Sequence, residues 1–199
     1  MNCGVAIQRL DWRDEHVSND QELLELVDAH GRTTEYGSKE LCHRGAGRLH
    51  RAFSIYLFTS DMELLLQQRG GEKRLWPLTW SNSCCSHPRQ GEAEQDACRR
   101  RLLEELGVAV PLVRLFDFEY QARYRDLGAE HELCSVFAGR VDARALRPNR
   151  REIHALRTVP AAELDAALRD SAAPFTPWLR IAWEKIRRDH WDELARGVG

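Results

Sequence analysis

Two carboxylates, Glu130 and Glu132, stand two residues apart where a strand is expected to begin, so both face the same side of it. Like charges that close repel unless a metal ion or a shared proton intervenes. A solvated hairpin end would also account for them. Three imidazoles strengthen the first reading: His43, His50 and His87 with the two glutamates would complete a site for zinc, manganese or iron. Each histidine alone reads as a surface or satisfied core residue, and spacing does not bring the five together. The six cysteines, at 3, 42, 84, 85, 98 and 134, include no Cys-x-x-Cys pair, so a metal here must rely on histidine and carboxylate. Glu105 lies seven positions after Cys98, nearly two helical turns, and so projects from an otherwise apolar stripe. An i, i+4 pair with Arg101 would neutralise it. Burying it unpaired would be costly.

The elements that must hold these residues follow from period and punctuation. Leu23, Leu24, Leu26 and Val27 run into Asp28-Ala-His-Gly31, a strand entering a turn, and Ser38 can cap a short helix through Cys42. Ala52 to Phe58 is almost continuously apolar, which suits a central strand covered on both faces. Thr59-Ser-Asp61 then turns the chain into Met62 to Leu66 as a hairpin. Residues 69–91 are too broken by Gly70, Gly71, Pro77, Pro88 and Gly91 for regular structure, yet keep Trp76 and Trp80, as functional loops often do. The spacing of Cys98, Leu102 and Leu106 predicts a helix from Ala93 to Leu106, with Gly107 as its C-cap. Phe116, Phe118, Tyr120, Ala122 and Tyr124 alternate with polar residues as in a half-buried strand, Asp126-Leu-Gly128 offers a turn, and Leu133 to Val141 returns. Thr176 and Pro177 open a last helix striped by Leu179, Trp183, Ile186, His190 and Leu194. Strands and helices mix without strict alternation, so the class is α+β. Residues 1–19 read as a flexible N-terminal extension and 20–199 as the folded unit.

Composition narrows the chemistry. The chain has 199 residues, 43% of them apolar, enough for one substantial core in a single compact domain. Charged residues make up 30% but nearly cancel, to a formal net charge of -2, so no general field recruits nucleic acid or an anionic membrane. An anion site must be local. No apolar run approaches the roughly 20 residues that span a bilayer, and the start lacks the pattern of a signal peptide. The expected protein is soluble and cytoplasmic, with free thiols, and a monomer or weak homodimer.

Two phrases carry a resemblance. Residues from Ser86 through Glu92 and Arg100 to Glu104, Glu105, Gly107 and Val108 follow the spacing of the Nudix motif, whose inward glutamate holds magnesium against a diphosphate. Arg101 stands where a hydrolase of that superfamily has a further metal-binding glutamate, which argues against hydrolysis and suits direct pairing with phosphate. The second phrase, Trp76-Pro-Leu-Thr-Trp80-Ser-Asn82-Ser-Cys-Cys85-Ser-His87-Pro, resembles the active-site segment of the type I isopentenyl-diphosphate isomerases, which are Nudix-fold enzymes. His43, His50, Tyr120 and Glu130-His-Glu132-Leu-Cys134 match the same family in the same order. One departure is Ser86, where the family commonly has glycine.

The resemblance implies a Nudix-like mixed β-sheet sandwiched between helices, and a small-molecule substrate, isopentenyl diphosphate, converted to dimethylallyl diphosphate by proton addition and removal. It implies Cys85 and Glu132 as the acid and base pair, helped by Tyr120, and Trp178 as an aromatic cover for the isoprenoid. It also implies one divalent ion, Mn2+ or Zn2+, on His43, His50, His87, Glu130 and Glu132. A second ion, Mg2+, would meet Glu105 and the Cys85 backbone carbonyl, with Lys39, Arg69, Lys73 and Arg101 on the phosphates. The competing readings are a Nudix-type diphosphate hydrolase and a non-catalytic metal-binding module.

Overall fold

One strand organises the molecule. In the computed structural model, which describes residues 5–7 and 10–197, His50–Phe58 lies at the centre of a mixed sheet. The elements run β1 (Val5–Ala6), β2 (Leu23–Val27), β3 (Thr33–Ser38), α1 (Lys39–Cys42), β4 (His50–Phe58), β5 (Leu64–Arg69), β6 (Trp80–Ser81), β7 (Cys84–Ser86) and α2 (Glu94–Leu106). They continue with β8 (Val113–Tyr124), β9 (Gly128–Arg140), β10 (Ile153–Val159), α3 (Ala161–Leu168), α4 (Pro177–Lys185) and α5 (Trp191–Ala195).

Along one edge β4 pairs in parallel with β9 over its whole length, from His50 opposite Glu132 to Phe58 opposite Arg140. Its other edge receives three antiparallel partners in turn: β2 at His50, β7 from Phe53 to Ile55, and β5 at Phe58. Such a strand has no solvent face, which is why its sequence reads as an apolar run rather than an alternation. Phe53, Ile55 and Leu57 pack with Ala97, Cys98, Leu102 and Leu106 of α2, while Tyr56 and Phe58 pack with Leu179, Ala182 and Trp183 of α4. Helices therefore cover both faces of the sheet, as the resemblance implied. Fully burying each leucine at these contacts stabilises the fold by about 1.5–3 kcal/mol.

Helix α2 ends as its sequence indicates, with Gly107 in the left-handed region at φ 72°. Three expectations need correction. The stretch 69–91 is not without regular structure: β6 and β7 lie within it, too short to leave a periodic signal, and β7 carries Cys85. The expected hairpin at Thr59 to Asp61 turns as read, but β4 and β5 pair only at Phe58 and Leu64 before β7 takes the edge. Thr176 does not cap α4 with its side chain; its hydroxyl bonds Ser81 Oγ instead, at 3.2 Å. Within the first 19 residues, Arg13 donates to the carbonyls of Arg147, Leu103 and Glu104, and Ser18 to Glu152. Among the described residues no helix is long and apolar enough to cross a membrane.

Candidate active site and metal centre

The register of β4 against β9 gathers what spacing could not. His50 opens β4 and lies directly opposite Glu132, with Glu130 two residues earlier on β9. His87 follows β7, and His43 is the C-cap of α1, which begins where Ser38 Oγ accepts from the Leu41 amide. Each of the five residues offers a ligand atom, and these atoms lie within 4.8 Å of one another. The arrangement suits a divalent cation. His43 Nδ1 is 2.6 Å from the Lys39 carbonyl and His50 Nδ1 2.7 Å from the Arg48 carbonyl, so each carbonyl accepts from an Nδ1–H and the ring turns Nε2 inward. His50 Nε2 is buried with no hydrogen-bond partner, which is costly unless an ion satisfies it, and Glu130 Oε2 lies 2.7 Å from His43 Nε2.

Electrostatics point the same way. Burial pulls His50 down to about 4, and burial together with the other two histidines holds His87 well below its ordinary value. Both imidazoles are then neutral, the form in which histidine can bind a metal. Burial also lowers His43, but the neighbouring Glu130 charge outweighs it and the net shift is upward. Glu130 is held down at about 2, its burial overcome by His43, whereas burial and the Glu130 charge drive Glu132 well above the carboxylate range. Two carboxylates thus differ in proton affinity because only one has a cationic partner. A strand-to-loop contact keeps His43 in place: the Ala129 amide donates to its carbonyl at 3.1 Å, and Gly128, at φ 151°, passes where a Cβ would come within 2.3 Å of that oxygen.

Beside this cluster is a cavity of about 530 Å3 whose lining includes Cys85, Tyr120, Glu132 and Trp178. Cys85 on β7 and Glu132 on β9 approach it from opposite edges of β4. The Cys85 thiol donates to Asn82 Oδ1 at 3.0 Å and touches Ser54 Oγ at 3.3 Å. Asn82 cannot turn, because its Nδ2 donates to the carbonyls of Ile55 and Cys84. Burial pushes the thiol up to about 12, so the sulfur holds its proton at neutral pH. Tyr120 sits opposite Glu132 in the β8 and β9 pairing, and its hydroxyl donates to Glu132 Oε2 at 2.7 Å. Trp178 forms an aromatic wall with Trp76 and Tyr120, at ring separations of 5.2 and 6.0 Å, and its indole nitrogen donates to Ser81 Oγ. It is therefore both a buried anchor of α4 and a cavity wall.

The same cavity is lined by four cations, Lys39, Arg69, Lys73 and Arg101, with carboxylates such as Glu72 and Glu152 among them. Arg69 holds its loop by donating to the carbonyls of Leu75 and Trp76, where Trp76 is forced to φ 47°. Its guanidinium also lies 5.3 Å from the Trp178 ring, so a phosphate-side cation touches the aromatic wall. Lys39 is pulled below its ordinary value by burial and by Lys73 and Arg101. Arg101 is almost wholly buried and gripped by carboxylates: Glu105 at 2.5 Å, Glu104 at 2.8 Å and Glu152 at 3.0 Å. Of the two fates open to Glu105 in the sequence, the structure shows the i, i+4 pair with Arg101, and Gln67 Nε2 donates to its other oxygen.

Three residues at this site escaped the sequence reading. Asn82 lies inside the quoted phrase, but only its contact with sulfur reveals a role. Ser54 hides within an apolar strand. Glu152, which also binds Lys73, lies in a segment that offered no motif.

Comparison with known proteins agrees with this geometry. The NUDIX domain family model matches residues 48–179. Isopentenyl-diphosphate Delta-isomerase of Nocardia farcinica is 43% identical over 157 residues, covering 78% of this chain and 89% of that protein. Isopentenyl-diphosphate Delta-isomerase 1 of Photorhabdus laumondii is 36% identical over 177 residues, covering 87% and 99%. A crystal structure of a Deinococcus radiodurans protein superposes with a TM-score of 0.69 over 84% of this chain and all of that one; at 19% identity it speaks for the fold alone. With relatives this similar over most of its length, and a NUDIX match that takes in His50, Cys85, His87, Glu130 and Glu132, this chain belongs to the isopentenyl-diphosphate Delta-isomerase family of NUDIX-domain proteins.

Proposed function

We propose that the protein interconverts isopentenyl diphosphate and dimethylallyl diphosphate by a 1,3-allylic proton rearrangement. The observation that carries this reading is the pairing of a protonated thiol and a buried carboxyl, Cys85 and Glu132, approaching one cavity from opposite edges of β4. The substrate alkene is unactivated, so an acid must add a proton to its terminal carbon and leave a tertiary cation at the next. A base must then take a proton from the carbon beyond, which restores the double bond one position along.

Cys85 is suited to deliver the first proton because Asn82 accepts from the thiol and fixes its direction. Glu132 is suited to the second transfer, and Tyr120 positions it by donating to Oε2. In the reverse direction the two exchange roles. The cation between the steps must be kept from water and offered electron density, and Trp178, Trp76 and Tyr120 supply aromatic faces for both purposes. His43, His50, His87, Glu130 and Glu132 would hold Mn2+ or Zn2+, whose charge would orient the Glu132 carboxylate and lower its proton affinity. The diphosphate would lie among Lys39, Arg69, Lys73 and Arg101 together with Mg2+, toward which Glu105 is the family's carboxylate. Five free thiols among the described cysteines support a reducing compartment such as the cytoplasm.

The test is product analysis. Purified protein incubated with isopentenyl diphosphate and magnesium should yield the dimethylallyl isomer, and Cys85→Ala should be folded and inert. Release of inorganic phosphate in place of isomer would replace this reading with diphosphate hydrolysis.

A further inference from the structure

The central strand β4 carries a serine in the middle of its apolar run. Ser54 is 1% exposed and stands in register with Cys85 on β7, so the two side chains are direct cross-strand neighbours. Along the other edge of β4, Cys134 is the partner of Ala52, two residues back on the same face of the sheet. The Ser54 hydroxyl meets both sulfurs, Cys85 at 3.3 Å and Cys134 at 3.4 Å. A buried hydroxyl is costly unless it is bonded, so these two contacts must account for its place.

The direction of each bond follows from counting protons. Asn82 Nδ2 donates to the carbonyls of Ile55 and Cys84, which turns Oδ1 toward Cys85, and Oδ1 also accepts from Ser81 Oγ. An amide oxygen has no proton to give, so the single proton of the Cys85 thiol lies on the Asn82 side, at a separation of 3.0 Å. That leaves the serine as the donor in its contact with Cys85. Ser54 in turn accepts from the Cys134 thiol. The result is a one-way chain: Cys134 donates to Ser54, Ser54 to Cys85, and Cys85 to Asn82.

Delivery of the acid proton breaks the S–H bond. The bonding pair stays on sulfur, while the π pair of the alkene forms the new C–H bond and leaves the cation at the adjacent carbon. As sulfur gains negative charge, Asn82 offers it no donor, because its oxygen faces the sulfur with lone pairs alone. Ser54 already aims a proton at it, and a hydrogen bond to an ionised acceptor is roughly twice as strong as one between neutral groups. The bond therefore strengthens toward the transition state, and such a contact raises turnover rather than substrate affinity. We propose that Ser54 is a positioning residue for the acid, holding a preset hydroxyl donor against the Cys85 sulfur as its proton leaves. This rests on the isomerase reading above, in which Cys85 is that acid.

Steady-state isomerisation of isopentenyl diphosphate by the metal-loaded protein supplies the test, with thermal melting to establish that each variant is folded. Ser54→Ala should lower kcat by roughly 10- to 100-fold, the range for losing a hydrogen bond to a charge, while KM stays within about threefold. Ser54→Thr and Ser54→Val are the more telling pair, because they share a shape suited to a strand and differ only in the hydroxyl. Threonine should keep kcat at least about tenfold above valine, with KM alike. A role limited to packing would make these two variants equal, and their contrast decides the matter even if the alanine variant does not fold. The proposal is overturned if folded Ser54→Ala turns over within about twofold of wild type, or if the threonine and valine variants match. An active wild type with matching variants sinks this inference alone. A wild type that makes no dimethylallyl isomer sinks the isomerase reading and this inference with it.

Discussion

Replacing Tyr120 by phenylalanine deletes one oxygen from the centre of the site and little else. The ring remains stacked on Phe118 at 5.4 Å and close to Trp178, so the cavity wall keeps its shape. What disappears is the 2.7 Å hydrogen bond from the phenol to Glu132 Oε2. Burial and the Glu130 charge already push Glu132 well up, and the Tyr120 hydroxyl opposes them, followed by the Arg69 charge. A hydrogen bond to a charged group is worth about 1.5–3 kcal/mol. At 1.36 kcal/mol per factor of ten, its loss should lower kcat by roughly 10- to 150-fold. The Tyr120 hydroxyl bonds Glu132 and not one of the four cations proposed for the diphosphate, so KM should change by no more than about threefold. Steady-state isomerisation of isopentenyl diphosphate by the two proteins provides the comparison, with thermal melting as a check on folding. A folded Tyr120→Phe enzyme whose kcat stays within about twofold of wild type would refute the assignment of Tyr120 as the residue that positions the base.

Other consequences are equally open to measurement. His43→Ala and His87→Ala each remove one donor from the five-residue cluster and should weaken metal binding by about 100-fold or more, read as metal content after dialysis; full retention would contradict the ligand set. Gly128→Ala replaces no proposed ligand, yet its Cβ would meet the His43 carbonyl at 2.3 Å, so chemical denaturation should show a loss of about 2 kcal/mol or more together with weaker metal binding. Arg69→Ala should raise KM by about tenfold or more while kcat falls less, and a loss confined to kcat would rule out a ground-state binding role. Glu152 has a folded pKa below its ordinary 4.5, so its contribution to stability is present above that pH and is lost as the pH falls toward the folded value. Denaturation midpoints should therefore fall below about pH 4.5 in the wild type and fall less steeply in Glu152→Gln.

Legibility from sequence divides along physical lines. Local rules sufficed where a residue's role depends on its own element: the i, i+2 relation of Glu130 and Glu132 puts both on one face of β9, and the spacing of Cys98, Leu102 and Leu106 reveals α2. The union of three distant histidines with those glutamates depends on the parallel register of β4 with β9, which no local pattern encodes; family resemblance supplied it. β6 and β7 went unread because two or three residues cannot display a period. The apolar stripe of the last helix was legible, but not the π-helical turn at Ile186–His190, which leaves His190 half-buried and stacked on Phe116 at 5.2 Å. Glu152 left no trace at all, since a lone glutamate in a polar segment looks like solvated surface until Lys73, Arg101 and Ser18 are seen around it.

The transfer of a proton to the alkene from an exchangeable group of the protein is most directly tested in deuterated water. Wild-type enzyme given isopentenyl diphosphate and magnesium should form dimethylallyl diphosphate carrying deuterium in its new methyl group, and Cys85→Ala should form none. Dimethylallyl product free of deuterium would mean that hydrogen moves within the substrate, and the thiol and carboxyl would then have no part in the reaction.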